Sequence, residues 1–144
     1  MKKGFDYIGV TVCFYCHDGK GNLLLNKRSQ KCRDEKGKWD CGGGALKFGE
    51  SWEEGAKREI KEEYGCNVLK LKQVGVNNVI RIHENQKTHW IAIVFAAKLD
   101  PKKVRIKDKE KIDEIGWFKL NNLPNPLHSM YLTHLEFVKK AKVL

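Results

Sequence analysis

Between Ser51 and Gly65 the chain carries a helix with both of its ends encoded locally. Ser51, followed three residues later by Glu54, is a capping box; acidic side chains fill the first turn, and Gly65 supplies a stop, so the spacing predicts a helix from about Trp52 to Tyr64. Trp52, Ala56 and Ile60 recur at i,i+4 and form an apolar edge that another element has to cover. Flanking that edge, Glu59, Glu62 and Glu63 stand at i,i+3 and i,i+4 spacing, so all three point within one stripe about 100° wide. Like charges so crowded repel unless a cation lies among them. Whatever the chain folds into must bury one edge of this helix and leave the acidic one open to a hard divalent ion such as Mg²⁺, which takes carboxylate oxygens and keeps positions for water and phosphate.

The flanking segments supply the cover. Tyr7–Tyr15 is rich in β-branched and aromatic residues and ends in the turn His17-Asp-Gly-Lys-Gly21, after which Asn22–Asn26 resumes an apolar run. Lys31–Lys38 is polar and reads as a loop, and Trp39-Asp40-Cys41 leads into the glycine run Gly42-Gly43-Gly44, read as a loop feeding the helix. Val68–Ile82 suits one or two strands, with a turn at Asn85-Gln86; His89–Leu99 reads as a long buried strand and Ile115–Leu120 as another. Tyr131, Leu135 and Val138 fall at helical spacing in a terminal helix from His128 to about Lys142. With 144 residues there is room for one domain spanning 1–144, and several strands with two helices predict an α+β layered (α/β/α) sandwich.

The segment Gly44–Cys66 resembles the Nudix box: Gly44, five residues, Glu50, seven residues, Arg58-Glu59, the aliphatic Ile60, any residue, Glu62-Glu63, any residue, Gly65 and a final aliphatic. Cys66 occupies that last position, a mild departure because a buried thiol behaves as a small hydrophobe. Upstream, Gly42 stands where many Nudix sequences have Pro. Lys57, Lys61 and Glu62 by themselves would suit a solvated face; the register of Gly44, Glu50, Arg58, Glu59, Glu62, Glu63 and Gly65 argues for the box. The resemblance implies a mixed sheet held between helices and hydrolysis of a phosphoric anhydride in a nucleoside diphosphate derivative. It also implies Mg²⁺, with Mn²⁺ as alternative, held by Glu59 and Glu63, with Glu62 as a further ligand or the base and the Gly43 carbonyl adding an oxygen. Arg58, Glu59 and Glu62 form the expected catalytic set, Arg58 orienting acids through Glu50 or Glu62, while Gly44, Glu50 and Gly65 shape the loop and helix.

Outside the box the candidates are fewer. The family often places a carboxylate before the last strand, where Glu110, Asp113 and Glu114 are eligible; Glu114, nearest the strand, is selected, and Asp113 or Glu114 could instead bond a base edge. Arg28 opens a basic loop with Lys27, Lys31 and Arg33 and is the candidate for phosphate binding. A base platform would draw on Tyr7, Phe14, Asn78, Arg81, His89 or Trp117.

The net charge of +10 favours anionic ligands. A small nucleotide is the expected partner, RNA the less favoured one, and the chain itself a monomer or homodimer. No apolar stretch is long enough to span a bilayer, and the run after Met1-Lys-Lys lacks a small-residue cleavage site, so no membrane partner is expected. Five cysteines in a chain without a secretion signal predict reduced thiols and a cytoplasmic setting. Cys13-Phe14-Tyr15-Cys16-His17 spells a c-type haem attachment pattern, but on a strand the two cysteines face opposite ways; Cys32 and Cys41 are too far apart for a zinc half-site. The leading reading is a Mg²⁺-dependent nucleoside triphosphate pyrophosphohydrolase giving a monophosphate and pyrophosphate, with oxidised or otherwise non-standard nucleotides among its candidate substrates. Dinucleoside polyphosphates, ADP-ribose, nucleotide sugars and RNA 5′ ends are alternative substrates, and a non-catalytic nucleotide or RNA-binding module is the competing class.

Overall fold

The β-branched and aromatic run near the N-terminus forms β1 (Gly9–His17), which becomes the hub of the fold. Asp18 accepts hydrogen bonds from the N–H groups of Lys20 and Asn22 at 2.7 and 3.2 Å, closing the turn into β2 (Asn22–Arg28). In the computed structural model, which describes residues 1–144, there follow β3 (Trp39–Asp40), β4 (Gly42–Ala45), α1 (Trp52–Tyr64), β5 (Lys70–His83), β6 (Gln86–Lys98), β7 (Ile112–Lys119) and α2 (Tyr131–Lys140). The seven strands make one mixed sheet in the order β3-β2-β1-β6-β5, with β4 on β1 and β7 on β2. Only β1 and β6 run parallel, from Gly9 opposite Trp90 to His17 opposite Lys98. β1 divides its other edge, pairing β4 along Thr11–Phe14 and β2 only at Cys16 and His17.

Period-two alternation along β1 decides what each face carries. Val12, Phe14 and Cys16 join Ile93, Phe95 and Ala97 against Ala56, Ile60 and Tyr64 of α1. Tyr15 turns the other way, joining Val94 and Ala96 beneath Tyr131, Leu135 and Val138 of α2. The expected α+β sandwich is therefore the observed fold. Cys13 and Cys16 belong to opposite faces, as the strand period requires.

Several boundaries differ from expectation. The stretch expected as one or two strands holds one, β5, which starts at Lys70 and is bulged between Gln73 and Gly75, and its hairpin turns through Glu84 and Asn85, both with positive φ (50° and 63°). Trp52, expected on the buried edge of α1, is 41% exposed. The buried edge runs through Ala56, Ile60 and Tyr64 instead. The glycine run is strand rather than loop: Gly42–Ala45 pairs with β1, and Gly42, Gly43 and Gly44 all lack positive φ. Glycine is required there for close approach, since a Cβ on Gly42 would overlap the Phe14 ring and one on Gly44 would overlap the Glu59 carboxylate. No helix is long and apolar enough to cross a membrane.

Candidate active site

The ends of α1 behave as its sequence foretells. Ser51 Oγ accepts from the Glu54 N–H at 3.1 Å, Glu54 Oε2 accepts from the Ser51 N–H at 3.4 Å, and Gly65 closes the helix in the left-handed region at φ 71°. Complete burial of Ile60, which contributes about 1.5–3 kcal/mol, holds the helix on the sheet despite its acidic flank.

Arg58 gathers that flank. Its guanidinium donates two hydrogen bonds to Glu50, at 2.6 and 3.0 Å, one to Glu59 Oε1 at 2.8 Å and one to the Ala45 carbonyl at 3.3 Å. Contacts to Glu62 are longer, 3.4 and 3.5 Å. The fork hydrogen-bonded to Arg58 pulls the Glu50 carboxyl down to about 2, so Glu50 is charged throughout the neutral range. Thus Glu50, more than Glu62, is the partner that fixes Arg58, and Arg58 in turn fixes one oxygen of Glu59.

Glu59 and Glu63 are 6% and 3% exposed, and Glu63 Oε2 has no hydrogen-bond partner. Burial raises the Glu63 carboxyl well above its ordinary range, with Glu59 adding to the shift and Lys111 and the Gly43 N–H opposing it. Lys111 Nζ stands 4.0 Å from both Glu59 Oε2 and Glu63 Oε2. Glu62 sits apart with a side chain 51% exposed. No three His, Cys, Asp or Glu side chains converge as the chain stands; the buried acids are the Glu59–Glu63 pair, of which Glu63 lines the cavity beside them while Glu59 and Glu62 do not.

Glu63, Lys111 and Gly42–Ala45 form one side of a cavity of about 470 Å³ that continues to Arg28, Asp34, Asp40, Arg81, Trp90 and His128. Arg28 Nε and Nη2 donate to the Asp34 carbonyl at 3.1 and 3.0 Å, and Nη2 also meets the Asp34 carboxylate at 2.9 Å. Asp40 lies 3.9 Å from Arg28 and 4.0 Å from His128, and burial raises its carboxyl. Asn26 Nδ2 donates to both the Cys41 carbonyl and Tyr64 Oη, each at 2.9 Å, joining β2 to the glycine strand and to the end of α1.

The remaining candidates scatter. Glu114 pairs with Lys27 at 3.8 Å with its side chain 61% exposed, and Glu110 pairs with Lys31 at 3.0 Å; neither lines the cavity. Among the base-platform candidates only Arg81 does; Phe14 and Trp117 are core, and Asn78 and His89 bond each other. Lys111 and Trp90 also line the cavity and are not among the sequence candidates. Trp90 has a sequence signal, since alternation along β6 puts it on the same face as Ala92 and Val94; Lys111, in an unpatterned charged loop, has none.

A family model for the NUDIX domain matches residues 8–141. The chain belongs to the Nudix family. Its fold is that of the MutT NUDIX hydrolase from Burkholderia pseudomallei, at TM-score 0.81 and 29% identity over 92% of this chain and 99% of that one. A MutT protein from Methanosarcina mazei is similar at TM-score 0.72 and 27% identity, covering 94% and 96%. The 8-oxo-dGDP phosphatase NUDT18 of Mus musculus is 27% identical over 140 residues, 94% of this chain but 39% of its own length; the chain thus spans about two fifths of that curated relative. Nudix hydrolases generally use divalent metal ions. The residues here fit one: Glu63 presents a buried, unpartnered oxygen, and Gly44 leaves the space that Glu59 occupies. The two departures from the box also have reasons, since Cys66 is 3% exposed in the α1 core and Gly42 lies against Phe14.

Proposed function

We propose that the chain, acting as one domain, is a Mg²⁺-dependent pyrophosphohydrolase of a nucleoside triphosphate, releasing the monophosphate and pyrophosphate. The observation that carries this reading is the unpartnered Glu63 Oε2, buried beside Glu59 and bordering a cavity of about 470 Å³. Glu59 and Glu63 would hold the divalent ion, with the Gly43 carbonyl adding an oxygen and Glu62 serving as a further ligand or as the base. When bound, that ion neutralises phosphate oxygens and acidifies a water. Arg58 keeps Glu59 aimed inward. As the base, Glu62, with its side chain 51% exposed, would take the proton of the attacking water as the phosphoric anhydride bond breaks. Farther along the same cavity Arg28 is the candidate to meet a phosphate that extends beyond the ion, while Arg81, Asp40 and His128 offer polar groups to sugar and base and Trp90 an apolar wall. Glu114, facing solvent on β7, has no evident part. Five free cysteines support a reducing, cytoplasmic setting.

A hydrolysis panel with product identification tests the reading. Because NUDT18 is named for 8-oxo-dGDP, oxidised guanine di- and triphosphates head the panel, with ordinary nucleotides, dinucleoside polyphosphates, ADP-ribose, nucleotide sugars and 5′-triphosphate RNA as further arms. Mg²⁺-dependent release of a monophosphate, lost on chelation, is expected. Ligand binding without turnover of any arm would leave a non-catalytic binding module as the better reading.

A further inference from the structure

Lys111 is the cation that faces the buried acid pair, and its backbone is tied down from three directions. Its carbonyl accepts from the Ser29 N–H at 2.9 Å and from Cys32 Sγ at 3.4 Å. Its N–H donates to Asp108 Oδ1 at 3.3 Å. The N–H groups of Lys107 and Asp108, earlier in the same loop, donate to the Glu63 carbonyl at 2.9 and 3.4 Å. The loop is thus anchored on the very residue whose side chain Lys111 faces, while the lysine side chain remains 49% exposed. From that root Nζ reaches a point 4.0 Å from Glu59 Oε2 and 4.0 Å from Glu63 Oε2.

These two oxygens are the ones a divalent ion would take. Coordination to Mg²⁺ or Mn²⁺ requires oxygens about 2.0–2.2 Å from the metal, so ion and ammonium cannot both keep station beside the pair without strong repulsion. Resting on the reading of Glu59 and Glu63 as metal-holding, we propose that Lys111 is a resident counter-ion: it neutralises the acid pair in the metal-free protein and must be displaced for a divalent ion to bind. It therefore sets the metal affinity of the site. The half-exposed side chain can swing into solvent when the ion arrives, whereas Arg58, held by its fork to Glu50, cannot.

The test is Mn²⁺ titration of the nucleotide-free protein, followed by calorimetry or by the loss of free-Mn²⁺ resonance, on wild type, Lys111→Met and Lys111→Gln. Both variants remove the charge; Met keeps the apolar stem and Gln keeps a hydrogen-bonding head. Both are expected to bind Mn²⁺ about tenfold more tightly than wild type, and to melt lower than wild type in chelator while recovering in Mn²⁺. Unchanged or weaker Mn²⁺ affinity in folded variants overturns the inference, leaving Lys111 an ordinary surface partner. Two variants guard against one failing to fold. Wild type that binds no Mn²⁺ at the Glu59–Glu63 pair, judged against Glu59→Gln, overturns the metal reading itself; wild type that binds while the variants bind no tighter overturns only the role of Lys111.

Discussion

Replacing Glu63 with glutamine removes a charge while keeping shape, and its effect on the metal-free protein follows from two opposed terms. Lys111 Nζ lies 4.0 Å from Glu63 Oε2, a separation worth about 4 kcal/mol at an effective dielectric of about 20 but about 1 kcal/mol in water. The lysine is half exposed and shared with Glu59, which moves the attraction toward the smaller figure. Against it stands the withdrawal of a carboxylate from water, several kcal/mol per ion after relaxation, with Oε2 left unpartnered. The second term wins. Glu63→Gln is expected to stabilise the metal-free protein by about 1–2 kcal/mol, raising Tm by about 3–8 °C. The sign with pH follows: a carboxyl whose folded pKa is raised contributes most to stability below its unfolded value near 4.5, and that contribution is lost as pH rises through the folded value. Glutamine removes that dependence, so the gap between variant and wild type widens from acid toward neutral pH. Scanning calorimetry in chelator and then in Mg²⁺ or Mn²⁺ reads both effects, since wild type should gain Tm on adding metal and the variant should not. A variant that melts lower in chelator, or gains as much from metal as wild type, refutes the reasoning.

Gly44→Ala puts a methyl where the Glu59 carboxylate lies, so hydrolysis should fall by about 10²-fold or more while circular dichroism stays native; retained rate would show that Glu59 need not occupy that place. Glu35 tests acid stability: burial raises its carboxyl, but the Ser129 N–H and hydroxyl, His128 and Arg81 outweigh it and hold it at about 2. A depressed folded pKa contributes stability above about pH 4.5 that is lost as pH falls toward 2, so Glu35→Gln should lower the urea midpoint at pH 7 and converge on wild type in acid.

What was legible in the sequence is what short-range chemistry determines. Ser51, Glu54 and Gly65 bound α1 because caps act within a turn, and the strand period of β1 separates Cys13 from Cys16 however the sheet is assembled. Long-range pairing was not legible. Nothing local says that Gly42–Ala45 pairs with β1, because three glycines in a row read as a flexible loop until Phe14 and Glu59 are found where Cβ atoms would be. For the same reason the acids of the box were identifiable and the lysine facing them was not. Lys111 reaches them through a loop anchored on Ser29 and Glu63, residues distant in sequence. Nearness to β7 does not decide where Glu114 points, because side chains alternate along a strand, and this one meets Lys27 at the surface.

The double hydrogen bond of the Asn26 amide has a consequence for how such a protein can change. The end of α1, the glycine strand and β2 meet at one buried side-chain amide, whereas Arg81, Trp90 and His128 come from other parts of the chain and share none of its bonds. Exchange of Trp90 would alter a wall of the cavity without touching those bonds, whereas Arg81 and His128 also hold Glu35. Substitution at Asn26 would loosen the helix that carries Glu59 and Glu63 from the sheet beneath it, a cost that substitution at Trp90 would not carry.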